Sequence, residues 1–573
     1  MDTGRRAVLG LGFAAGGLAA GGLAIAASAK ADGSPAGSLE IEGEAGRYRA
    51  ALGDIRAYAA RHMAAYSLPG LTLTVVGPDG LTAYMRFGHA DVDRREPVRP
   101  DHLFQVGSIS KSFTALAIFR LVADGKLTLG ADVRPLLPGV PLPDGAPITV
   151  QHLLNHSSGL PDDAPVYPRA GDGRLWRGYE PGSHWSYSNL GFGLLSTLVA
   201  RLSGRPFPDA LQALVLTPLG MTQTKPAILT ADRAAYATGY APFASNRDYP
   251  PGGRIAPGTW TEMVEGSGSV ASTAHDMARY ARFLIAAGQG HGAPLLSDAD
   301  ARRFTAATVE APGWGPGGGQ YANGLAVVDV GGRKLLHHTG GMIIFNSAIH
   351  VDPIAAVAAF ASTNMGSFDY RPRDITAYAC ARMRAALEGV PGPEPKPAPP
   401  GLGDLTPVLG RFTARGGETL DVAANVAGVA ATRGGQRLVM APSGPGAFSA
   451  VDPAATPLRL VFRGPDKAVV RAWWGETEYV RDGVAFSPPT PAALQALTGY
   501  YENDDVWRGS FRVLAQGEQL FLDGTTPLVP IGGGVFRAGD DDWSPERMMF
   551  DAMLDGRPQR AIASGVDFLR RPA

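Results

Sequence analysis

Residues 104–115 read F-Q-V-G-S-I-S-K-S-F-T-A, and the pair Ser108 and Lys111 inside this stretch governs the reading of the whole chain. Residues three apart on a helix share one face, one turn apart, so a helix opening here sets the serine hydroxyl beside the lysine amine. A serine hydroxyl is a weak nucleophile at neutral pH until a neighbour takes its proton. A lysine can take it only when burial or nearby cations lower its pKa. Arginine cannot replace it, because a guanidinium stays protonated in proteins. The chain uses 7 Lys against 45 Arg, so lysine is not its default cation. Beyond the pair, Phe113, Leu116, Ile118, Phe119, Leu121 and Val122 continue the run to Gly125. These apolar residues surround the predicted helix, which predicts burial and a setting that favours an uncharged amine. The same spacing also fits an ordinary helix start with Ser108 as N-cap, so the rest of the chain decides.

Upstream, Ile55, Tyr58, Met63 and Tyr66 give a helical pattern over residues 42–66 that Pro69-Gly70 stops. Leu71 to Val76 and Leu81 to Phe87 alternate on either side of Pro78-Asp79-Gly80, the pattern of a hairpin. Downstream, a helix is predicted from Val150 to His156, another through Val199 and a third from Ser272 to Ile285. Strands follow at 325–330, 334–338, 347–351 and 355–363, closed by a helix to Leu387. Hairpin first, helices between and strands last predicts an α/β domain whose antiparallel sheet is flanked by helices and shared by both ends of the segment.

Tyr187 and Asn189, two apart, can point a phenol and an amide into one cleft, where the phenol could move protons beside Lys111. His338-Thr339-Gly340-Gly341 ends a predicted strand, and its glycines let a substrate lie close to the backbone. The N–H groups of Ser108 and Gly341 then make a candidate oxyanion hole. His152 and His156 have a chelating spacing, but no Glu follows His152 and no third ligand is evident. They read as hydrogen-bonding residues at a helix end, and no metal or cofactor is expected.

The remaining sequence divides further. Residues 388–403 are proline-rich and read as a stiff linker. Beyond it short strands and turns dominate, and segments recur: 410–412 as 499–501, 436–438 as 518–520, 446–448 as 534–536, 457–462 as 545–550 and 478–481 as 567–570. The offset of 82 to 89 residues predicts two copies of one all-β module, over 404–487 and 491–573, each closing into a small barrel. A net charge of -1 gives no electrostatic case for nucleic acid or an anionic membrane. The single cysteine, Cys380, excludes an intramolecular disulfide and reads as a buried, inert thiol. Arg5-Arg6 precedes a Gly- and Ala-rich apolar run to Ala27 and the small-x-small site Ala29-Lys30-Ala31. Residues 1–31 therefore read as an export signal resembling the twin-arginine type, which predicts a periplasmic or secreted protein. An uncleaved anchor is the alternative, and the only expected membrane contact.

Taken together, Ser108 to Lys111 (S-x-x-K), Tyr187 to Asn189 (Tyr-Ser-Asn) and His338 to Gly340 (His-Thr-Gly) resemble the three signatures of the serine β-lactamase and penicillin-binding superfamily. The stretches L-L-N-H-S-S-G-L at 153–160 and G-S-G-S-V-A-S-T-A at 266–274 resemble the branch holding class C β-lactamases, D-stereospecific peptidases and esterases. The resemblance spans residues 45–387, and the trailing modules look similar to those of bacterial D-aminopeptidases. It implies that Ser108 is acylated and that Lys111 and Tyr187 move protons. It also implies that Asn189 binds the substrate amide and that His338, Thr339 and Gly340 line the pocket. His338 stands where class C enzymes carry Lys, which argues against efficient β-lactam hydrolysis. A histidine titrating near neutrality predicts activity that follows its charge between roughly pH 5 and 8. The expected protein is an exported serine hydrolase of small peptides, and the resemblance implies D-configured ones. A carboxylesterase is one alternative, and a non-catalytic penicillin-binding or sensor protein is another.

Overall fold

The computed structural model describes residues 37–572 apart from 170–172, 244–252, 316, 367–370, 398–401, 453 and 465–467. The expected export segment and part of the proline-rich stretch lie outside the described residues. Among the described residues no helix is long and apolar enough to cross a membrane.

The chain opens with β1 (Ser38–Glu42), α1 (Arg49–Tyr66), β2 (Gly70–Val76) and β3 (Thr82–Asp91). The helix predicted from residue 42 starts only at Arg49. Ser38–Glu42 pairs antiparallel with β3 instead, and Gly43 and Gly46, with φ of 79° and 33°, turn the chain between them. Next come α2 (Ser110–Ala123), α3 (Asn189–Ser203), α4 (Ala274–Gly288), β4 (Lys334–Gly341), β5 (Asn346–Asp352), β6 (Val357–Thr363) and α5 (Arg371–Glu388). The main sheet runs β1-β3-β2-β6-β5-β4 and continues through short strands Ala326–Asp329, Gln320–Tyr321 and Val309–Glu310. Its centre joins the two ends of the segment, with Leu71 opposite Thr363 and Val76 opposite Ala358, as the sequence order predicted.

Side chains alternate across the sheet with the period of two that a strand imposes. Leu71, Leu73 and Val75, with Val357, Ala359 and Ala361, pack beneath α1 and α5. Val76, Ala358, Phe360, Ile349 and Val351 face the other core, which holds α2, α3 and α4. Each large aliphatic side chain so buried contributes about 1.5–3 kcal/mol relative to exposure. Cys380 lies in the first core, where burial pushes its thiol pKa up, so it is uncharged and inert as expected.

The centre of the second core is α2, buried on every side from Ser110 to Phe119. Its polar residues are satisfied by two neighbours. Ser110 Oγ accepts from Val270 N–H at 3.0 Å, Thr114 Oγ1 donates to the Gly266 carbonyl at 2.8 Å, and Tyr280 of α4 donates to Ser112 Oγ at 2.6 Å. The G-S-G-S-V stretch is therefore the strip against which α2 is fastened.

Two closed eight-stranded barrels follow, with strands from Gly410–Ala414 to Thr477–Val480 and from Gly499–Glu502 to Val566–Arg571. The repeat is real, but one of its pairings was wrong. Gln436 opens the fourth strand of the first barrel, whereas Gln519 opens the third strand of the second. The counterpart of Gln436–Gly444 is Thr526–Gly532, and the two strands carry the same bulge, between Pro442 and Gly444 and between Pro530 and Gly532. The short likeness of Gln436-Arg437-Leu438 to Glu518-Gln519-Leu520 does not set register, which strand order and bulges fix.

Candidate active site

Ser108 lies in a single 3₁₀ turn, Gly107–Ile109, that runs straight into α2. It is not the N-cap, a position held by Ile109. The turn sits on the end of β4. A Cβ on Gly340 would lie 1.9 Å from the Val106 carbonyl oxygen, and one on Gly107 would lie 2.9 Å from Gly341 N. Only glycine allows this approach, and it brings the Gly341 N–H beside the serine turn. Ser347 Oγ donates to the Val106 carbonyl at 2.8 Å and fixes the junction from β5.

Lys111 is fully buried while Ser108 is partly open. The ammonium's three protons have three partners: Ser108 Oγ at 3.1 Å, Asn189 Oδ1 at 2.6 Å and the Ser267 carbonyl at 2.8 Å. The neutral amine keeps two protons and a lone pair. The Asn189 and Ser267 oxygens can only accept, so the two protons go to them and the lone pair faces the Ser108 hydroxyl. Burial lowers the Lys111 pKa to about 8, against the opposing pull of Asp162, Asp163 and Glu265. The amine also lies 4.8 Å from the centre of the Tyr187 ring. The predicted residues Ser108, Lys111, Tyr187 and Asn189 are thus gathered in one place, with Gly340 and Gly341 beneath them.

A kinetic consequence follows from that pKa. Below about pH 8 most of the amine is charged and cannot accept a proton, so kcat/KM should rise about tenfold per pH unit and level off above it. A pH–rate profile from pH 5 to 9 checks this, and a rate independent of pH would exclude Lys111 as the base.

His338 is also buried, and its hydrogen bonds fix its state. Its Nδ1 lies 2.6 Å from the Thr339 carbonyl, which can only accept, so Nδ1 carries the proton. In the neutral ring Nε2 then accepts from the Tyr321 hydroxyl at 2.8 Å. Tyr321 has no second proton, so His156 Nε2 donates to its oxygen at 3.2 Å, and His156 Nδ1 accepts from Ser188 N–H at 3.0 Å. The chain from Ser188 to Thr339 requires a neutral His156, and with His338 neutral as well every proton in it has an acceptor. Burial, reinforced by the Lys111 charge, holds both histidines well below the ordinary histidine pKa. The expected dependence on His338 charge between pH 5 and 8 therefore finds no support, because the buried ring is held well below its ordinary pKa. His152 is separated from this chain, since its Nδ1 accepts from Thr149 N–H in a capping box. The two histidines do not converge on one point.

Tyr187, Trp185, Trp314 and Tyr321 wall the cleft beside His338, with the Trp314 ring 4.8 Å from the imidazole and 5.8 Å from Tyr187. Tyr321, Trp314, Asp162 and the Ser267 carbonyl were not singled out as site residues from the sequence. Tyr321 lies on a strand of two residues, too short for any periodicity. A backbone carbonyl has no residue signature at all.

The fold and this pocket define a member of the serine hydrolase superfamily, which contains peptidases and esterases. The chain belongs to the Beta-lactamase family, whose family model matches residues 55–382. It is 29% identical over 242 residues to "Penicillin-binding protein 4*" of Bacillus subtilis, covering 38% of this chain and 52% of the relative. It is 37% identical over 177 residues to "Esterase EstB" of Burkholderia gladioli, covering 26% and 45% respectively. It is 28% identical over 291 residues to a "D-aminopeptidase" of Gluconobacter oxydans, covering 46% and 52%. The chain thus spans about half the length of each of these relatives.

Proposed function

We propose that this protein is a serine hydrolase that works through an acyl-enzyme on amide bonds of small peptides, with D-configured residues preferred. The observation that carries the reading is the fully buried Lys111 amine, 3.1 Å from Ser108 Oγ, with its other two bonds made to pure acceptors. In the first step the Ser108 proton passes to Lys111 as the Oγ–carbon bond forms. The carbonyl electron pair moves to oxygen, where the N–H groups of Ser108 and Gly341 receive it. Collapse breaks the bond to the leaving group, which takes a proton from the Lys111 and Tyr187 pair. Water then adds to the acyl carbon, giving its proton to the same pair, and Ser108 Oγ leaves and is reprotonated. Asn189 orients the substrate amide.

Neutral His338 offers no cation to a substrate carboxylate, which favours substrates uncharged at that end over the carboxylates of β-lactams and C-terminal peptides. Similarity to the Gluconobacter D-aminopeptidase supports the D preference. The aromatic walls, together with the similarity to the Burkholderia esterase, favour a second reading as a carboxylesterase. Arg5-Arg6 and the apolar run after them support export to the periplasm or beyond.

The test is mass spectrometry after exposure to a fluorophosphonate, with a single adduct expected on Ser108. Labelling elsewhere would contradict the assignment. Among D-alanyl anilide, L-alanyl anilide and a short acyl ester, the D-anilide is expected to turn over fastest. An ester preference would select the esterase, and turnover of none would point to a non-catalytic penicillin-binding or sensor protein.

A further inference from the structure

The first turn of α3 carries Asn189, and it is held by a loop that the second barrel in turn holds. Asp162 is buried. Its Oδ1 accepts from Asn189 N–H at 2.9 Å and its carbonyl from Leu190 N–H at 2.8 Å, while Ser188 Oγ accepts from Gly191 N–H at 3.0 Å. A helix start leaves four N–H groups without helical partners, and Asp162 satisfies two of them here. The N–H of Asp162 itself donates to Glu546 Oε1, 2.9 Å away, on the second barrel. Glu546 is 6% exposed, and its other oxygen accepts from Ser564 Oγ at 2.5 Å.

The surrounding contact is close. Trp176 Nε1 donates to the Pro545 carbonyl at 2.6 Å, Arg508 donates to the Asp163 carbonyl at 3.0 Å, and the Trp543 and His184 rings stack 4.9 Å apart. A Cβ on Gly178 would lie 2.3 Å from the Trp543 carbonyl. Adhesion between domains needs no buried carboxyl, whose desolvation is costly unless hydrogen bonds offset it. One oxygen of this one is anchored by Ser564 and the other is bonded to Asp162, the residue that fixes α3, and α3 places the oxygen to which Lys111 is bonded.

We propose that Glu546 is a positioning residue for the Ser108–Lys111 centre, so that the second barrel completes the active site through Asp162 and Asn189. The inference rests on the acyl-enzyme reading above. The experiment follows fluorophosphonate labelling of Ser108, and turnover of the best panel substrate, in the full chain. Glu546→Ala should lower the labelling rate and kcat about 10- to 100-fold, the scale of a small misplacement of catalytic groups, with KM changed less than about twofold. Glu546→Gln keeps an oxygen that can accept from Asp162 N–H and should stay within about threefold of wild type. Arg508→Ala, at the same interface but bonded to Asp163, should leave kcat unchanged. Wild-type rates in Glu546→Ala, or an equal loss in Glu546→Gln, would overturn the proposal. Where Glu546→Ala does not fold, Glu546→Asp draws the carboxylate back by one methylene and should show the same loss confined to kcat. Wild-type kcat in that variant would overturn it equally. An unlabelled wild type would sink the acyl-enzyme reading and this inference with it, whereas a labelled wild type with an equally fast Glu546→Ala sinks this inference alone.

Discussion

Lys111→Arg is expected to slow acylation of Ser108 by about 10²- to 10⁴-fold, the range over which a positioned general base acts, although the substitution conserves charge. The reason lies in the proton inventory around the amine. Two of its three partners, Asn189 Oδ1 and the Ser267 carbonyl, can only accept. A neutral amine therefore has one vacancy, and Ser108 faces it. A guanidinium offers no such vacancy, because it does not deprotonate in proteins and has no lone pair to present. It is also broader and planar, in a position with no exposed surface. The measurement is the rate of the single fluorophosphonate adduct on Ser108, read beside the thermal unfolding midpoint so that loss of chemistry is separated from loss of fold. Labelling at near-normal speed would show that Lys111 acts only as a fixed charge.

Gly340→Ala should cost about 10²-fold in kcat, an effect on the scale of displacing a reacting group or an oxyanion donor. The added carbon would sit 1.9 Å from the Val106 carbonyl oxygen and 2.3 Å from Ser347 Oγ. Neither atom can yield easily. Val106 is the residue before the serine turn, and Ser347 Oγ is already bonded to that carbonyl. Relief must come from separating β4 from the turn, which carries the Gly341 N–H away from Ser108. The prediction is a fall in kcat with a modest loss of stability, measured by steady-state kinetics and calorimetry. Unchanged turnover would mean that Gly341 does not serve the oxyanion.

The neutral state of His338 bears on specificity as well as on pH. A lysine in that place would present a charge to the cleft, whereas here a phenol and a backbone carbonyl use both ring nitrogens. The pH response of the site is thereby handed to Lys111, whose pKa near 8 places the change above neutrality. Histidine alone predicted a window centred lower, because residue type carries the ordinary pKa and burial supplies the shift.

Much of this protein was legible from the chain alone because the relevant signals are local. Alternation about Pro78-Asp79-Gly80 marked the hairpin, all-round apolarity marked α2 as buried, and the recurrence at 88 to 89 residues marked two copies of one module. The spacing of Ser108 and Lys111 set hydroxyl and amine one turn apart whatever the surrounding fold. Tertiary structure decided what depends on partners distant in sequence: the direction of the lysine lone pair, set by Asn189 and Ser267; the neutral His338, set through Tyr321 and His156; and the grip of Glu546 on Asp162, across 384 residues. Protonation and hydrogen-bond direction belong to a site's whole set of donors and acceptors, and several of these are backbone atoms, which no residue type announces.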